Sequence, residues 1–82
     1  MDTKQKYVRV KKYDSIIIFP QIIEHSTFSH LEPVSAGFCI IDSDKKQVDC
    51  FGASHSLMVK SDKDDSELAT RQIFGMEAVY MM

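Results

Sequence analysis

The chain has 82 residues, 44% of them apolar and 27% charged, with a formal net charge of −2. That length makes one small domain, which buries only about 60–65% of its unfolded surface and leaves no room for a separate cofactor domain; the composition argues against disorder. The longest aliphatic-aromatic run, Ile16–Phe19, is too short to span a membrane, the charged first residues precede no apolar stretch of signal-peptide length, and two cysteines are too few for a disulfide scaffold, so a cytoplasmic protein with free thiols is expected.

Residues 6–13, KYVRVKKY, read as a strand with Tyr7, Arg9, Lys11 and Tyr13 on one face and Val8 and Val10 on the other. Ile16–Phe19 follows as a β-branched strand that asks for cover on both faces, and Pro20 ends it. Residues 21–31 carry an apolar set, Ile22, Ile23, Phe28 and Leu31, interrupted by Ser26 and Thr27; the pattern fits a short helix or a structured loop. Residues 35–41 and 47–51 form the clearest hairpin, around the polar turn Asp42–Lys46. Gly52 marks a bend, and Ser56–Lys60 reads as a further strand with Leu57 and Val59 on one face.

The best helix signal covers residues 61–75. Ser61, Asp62 or Asp64 can cap it, Asp64 and Glu67 resemble a capping box, and Gly75 stands where a helix stops. Leu68, Ala69, Ile73 and Met76 form its apolar stripe. Residues 76–82, MEAVYMM, are apolar enough to dock on the core or on a second subunit. The expected fold is α+β: a single antiparallel sheet of four to five strands, a C-terminal helix and a short helix or loop at 21–31. One helix covers one face of such a sheet; the second face needs the 21–31 segment or another copy of the chain, and a homodimer is expected.

The stretch Cys50–Leu57, CFGASHSL, has the most chemistry in the chain. It lacks the second glycine of a G-x-S-x-G nucleophile elbow, and a strand rather than a helix is expected after it. In a strand, Ser54 and Ser56 share one face, while His55 joins Leu57 on the other as a partly buried histidine. His25, His30, Ser54, His55 and Ser56 are therefore ligand or interface candidates, and no catalytic set is assigned. His25, His30, Cys39, Cys50 and His55 include zinc-ligand types, but no C-x-x-C occurs and the two early histidines lie about 140° apart if helical, so no metal and no cofactor is expected. The register of Cys39 against Cys50 stays open: one alignment faces the thiols, another separates them.

Charge is uneven. Five of the ten bases lie in residues 4–12 and four of the twelve acids in residues 62–67. Tyr7, Arg9, Lys11 and Tyr13 match a single-strand nucleic-acid binder that stacks bases and neutralises phosphates, while lysines on a solvated edge strand also deter edge-to-edge pairing.

Three stretches, Pro33–Phe38, Cys50–Leu57 and Asp65–Gln72, together resemble short uncharacterised proteins of phages, prophages and other mobile bacterial elements, over roughly residues 15–75. The resemblance implies a small accessory protein acting by binding in a bacterial cytoplasm. The leading expectation is a non-enzymatic module for a protein partner or small ligand; the alternatives are a nucleic-acid binder and a small metal- or thiol-dependent enzyme built on His25, His30, Cys50 and His55.

Overall fold

A computed structural model of the chain describes residues 4–75. The expectations for residues 76–82, and for Met76 in the helix stripe, lie outside them. β1 (Lys4–Val10) and β2 (Ser15–Phe19) form an antiparallel hairpin. β1 is shorter than the sequence suggests. Lys11–Asp14 is a turn, closed by the Asp14 N–H on the Lys11 carbonyl (3.1 Å), with Asp14 left-handed at φ 45°, a conformation aspartate tolerates. Lys11 and Tyr13 therefore do not continue the strand.

β3 (Pro33–Asp42) pairs with the other side of β1, and β4 (Gln47–Phe51) pairs with β3, giving one antiparallel sheet of order β2-β1-β3-β4. β1 is thus an inner strand, and the reading of its lysines as protection for an exposed edge is corrected. Gly37 on β3 has a steric role: a Cβ there would overlap the Phe51 carbonyl oxygen.

Both faces of the sheet are covered. Alternation places Tyr7, Ile16, Cys39 and Val48 on one face, beneath Ala69, Leu68 and Phe74 of helix α1 (Asp65–Phe74). Val8, Val10, Phe19 and Ala36 lie on the other, beneath Ile23, Phe28, Leu31, Leu57 and Val59. The ambiguous segment resolves into a 3-10 helix over His25–Leu31. Ser26 and Thr27 disfavour a longer α-helix, and the Glu32 N–H turns back to the Ser29 carbonyl just before Pro33. Ile22, expected in its apolar stripe, is instead exposed.

The second cover is a small hairpin rather than a fifth strand of the main sheet. Gly52, at φ 82°, turns the chain out, and β5 (Ala53–Ser54) pairs with β6 (Val59–Lys60). Residues 55–58, expected largely as strand, are the turn between them.

α1 begins at Asp65, with Asp64, one of the three expected caps, at the N-cap position. Asp64 makes no side-chain capping bond. Asp62 Oδ1 instead accepts the Asp64 N–H (3.1 Å), and the Asp65 carboxylate accepts the Asp62 N–H (2.8 Å). Glu67 pairs with Arg71 one turn on (3.3 Å). Ile73, expected in the buried stripe, is 41% exposed. Thr70 is buried in its stead, with Asp65 and Ala69. Among the described residues, no helix is long and apolar enough to cross a membrane.

Candidate binding site at the β5–β6 hairpin

The hairpin turn is built by Ser54. Its side chain is buried, its Oγ accepts the Leu57 N–H (3.3 Å) and lies 3.4 Å from Ser56 Oγ, and the Met58 N–H closes the turn on the His55 carbonyl (3.3 Å). Ser54 is thus a turn-forming hydroxyl within a strand-turn-strand unit, not a nucleophile at a strand-to-helix elbow.

The same turn forces Met58 into the left-handed region, at φ 56°, where glycine or asparagine is favoured, and leaves it 89% exposed. A long apolar side chain is therefore held in strained backbone and in water at once. Met58 and Val34, itself 48% exposed, line a concavity of about 620 Å³ with Val59, Lys60 and Asp62. Met58 does not stand out in the sequence as exposed, because nothing in SLMVK signals a left-handed position.

A second concavity of about 520 Å³ shares Ser54 and His55 with the first and is also lined by Lys6, Glu24, His25, Phe38 and Ser56. Four of the five sequence candidates thus meet: His25, Ser54, His55 and Ser56. His30 does not join them; it lines a separate hollow with Lys12 and Tyr13. The expectation of a partly buried His55 is corrected. His55 is exposed on the turn, whereas His25 is buried between Phe19 and Phe38, edge-on to both rings. His25 Nε2 lies 2.8 Å from the Gly37 carbonyl oxygen, which only accepts, so Nε2 carries the proton.

The metal- and thiol-enzyme candidates do not assemble. Cys50 packs on the α1 face of the sheet, opposite His25 and His55, and His30 is in its own hollow. Among the described residues, no group of three or more His, Cys, Asp or Glu side chains is placed to hold a metal ion. Cys39 and Cys50 face each other across β3 and β4, which decides the open register, and both are free thiols. Burial pushes both up, Cys39 to about 11.

The basic first strand is mostly structural. Tyr7 is fully buried, and its hydroxyl donates to Asp65 Oδ2. Burial, then that bond, raises its pKa. Arg9 donates from Nη1 to Asp65 Oδ1 (3.1 Å) and from Nη2 to Asp14 (2.8 Å), and the Asp14 bond leads in raising its pKa. Ser35 Oγ adds a third side-chain donor to Asp65 (2.9 Å). Of the four candidates only Lys11 and Tyr13 face solvent, with Tyr13 67% exposed and the Lys12 ammonium 5.5 Å from its ring centroid.

No protein-family model, curated protein or solved structure matches the chain.

Proposed function

We propose that this chain is a non-enzymatic binding module whose contact face is the β5–β6 hairpin and that it docks an apolar segment of a protein partner. One observation carries the reading: Met58 is held at φ 56° with 89% of its surface in water, on the rim of an apolar concavity it shares with Val34. Left-handed backbone at a non-glycine residue costs about 1–3 kcal/mol, and strain of that kind gathers at ligand clamps. Flexible methionines also suit a docking surface that adapts to its ligand. The resemblance to short proteins of phages and mobile elements agrees with an accessory role in a bacterial cytoplasm. A second copy of the chain is one partner this face would accept.

The test uses peptides selected against the full chain from a random display library. Their contacts are then mapped by amide chemical-shift changes. The reading expects apolar-anchored peptides that shift Val34 and residues 53–60. Peptides that map elsewhere overturn it.

The β1–β2 turn favours a second reading, because it presents Lys11, Lys12 and the exposed Tyr13 ring together. Such a turn would contact single-stranded nucleic acid by stacking and phosphate neutralisation. Retention of short single-stranded DNA at low salt, lost in Lys11→Ala/Lys12→Ala, supports it; no retention at low salt removes it.

A further inference from the structure

Cys39 and Cys50 stand directly opposite each other on neighbouring strands. The hydrogen bonds around them show what kind of pair they form. A strand residue sends its N–H and C=O to the same side, toward one neighbour or away from it. At Cys50 both point away from β3: the N–H donates to Ser66 Oγ (2.8 Å), and the carbonyl accepts from that hydroxyl (3.4 Å). Val48, two residues earlier, uses Thr70 in the same way, at 2.8 and 3.1 Å. Cys39 and Cys50 are therefore a non-hydrogen-bonded pair, the class whose Cα atoms approach to about 4.5 Å and whose side chains lie closest. That separation falls within the roughly 4.4–6.8 Å over which a disulfide closes without moving the backbone. Both thiols share the α1 face, Cys39 buried and Cys50 partly open.

We propose that Cys39 and Cys50 form a redox modification site that takes a small disulfide oxidant, of the oxidised-glutathione kind, and closes to an intramolecular cross-strand disulfide. Cys50, on edge strand β4 and the less buried of the two residues, loses its proton and attacks one sulfur of the oxidant. A mixed disulfide forms as the oxidant's S–S bond breaks, and one small thiol leaves with a proton. Cys39 then attacks the Cys50 sulfur, its proton going to the second departing thiol. Two protein thiols lose two electrons, and one small disulfide becomes two thiols. Because burial keeps both groups protonated, closure is slow at neutral pH and quickens as pH rises. The bond ties β4 to β3 two residues before Gly52, where the hairpin carrying Met58 begins.

The experiment treats the folded full chain with oxidised glutathione at about pH 8.5 and again at about pH 9.5, because burial holds both thiols above their ordinary range. Free thiols are then alkylated and the products weighed. The expected product has lost two hydrogens, carries a Cys39–Cys50 linked peptide, escapes alkylation at both sites and forms at a rate independent of protein concentration. It melts higher than the reduced chain and returns on dithiothreitol. Cys39→Ala stops at a lasting mixed disulfide on Cys50. A wild-type chain that keeps free thiols, accumulates a lasting mixed disulfide or links to a second chain overturns the proposal. Those readouts come from the wild type and stand even where the variant folds poorly.

Discussion

Asp65 is the residue on which three elements converge. It is fully buried at the first position of α1, and its carboxylate accepts from Tyr7, Arg9, Ser35 and the Asp62 N–H. A buried carboxylate this well supplied with donors is tolerated, but removing it leaves the Tyr7 and Ser35 hydroxyls without this partner and Arg9 with Asp14 as its remaining carboxylate. Asp65→Ala is expected to cost about 3–5 kcal/mol, and Tyr7→Phe about 1–2 kcal/mol, both read from urea unfolding. A double-mutant cycle should give less than the sum. The acidic run Asp62–Glu67 was legible as a helix start, but Asp65's burial was not, since its side-chain partners lie 30, 56 and 58 residues away.

The buried thiols and Tyr7 also set an alkaline limit. Cys39 rises from 9.0 to about 11, and Tyr7 is raised above 10.0. The folded chain thus holds protons that the unfolded chain releases, so stability is intact below about pH 9 and falls as pH climbs toward 11. The urea midpoint is expected to drop across that window, and less steeply in Cys39→Ala.

At the scale of elements, α1 does more than cover a face. Ser66 and Thr70 satisfy the outward backbone of Cys50 and Val48 on edge strand β4, and the Gln72 amide accepts from and donates to Ile16 on edge strand β2. One helix thereby occupies backbone groups on both open edges, the sites at which sheets otherwise pair with other chains. Thr70→Val keeps the shape and removes the hydroxyl. It is expected to cost about 1–3 kcal/mol and to raise aggregation, read by unfolding and by light scattering over time. The strands and α1 were legible because their apolar periods are long. The short pieces were not: Lys11–Asp14 and residues 55–58 became turns through left-handed Asp14 and Met58, neither of them glycine. The candidate site was half legible for the same reason. Its polar members Ser54, His55 and Ser56 drew notice, while Met58 read as strand.

Across the whole molecule, the case for a dimer changes. The sheet's second face was expected to need a 21–31 helix or another copy; the 3-10 helix and the β5–β6 hairpin cover it from within the chain. Folding is therefore expected to need no partner, and the urea midpoint should not move with protein concentration. Self-association, where it occurs, would use the exposed hairpin face rather than an unfinished core.

That face is the centre of the account, and Met58→Gly tests it most directly. Glycine accepts the left-handed backbone and deletes the exposed side chain. The variant is expected to unfold at the same or higher temperature, with a gain of up to about 1 kcal/mol. It should bind the display-selected peptides at least about tenfold more weakly, a loss near 1.4 kcal/mol. A Met58→Gly chain that binds as tightly as wild type would contradict the assignment.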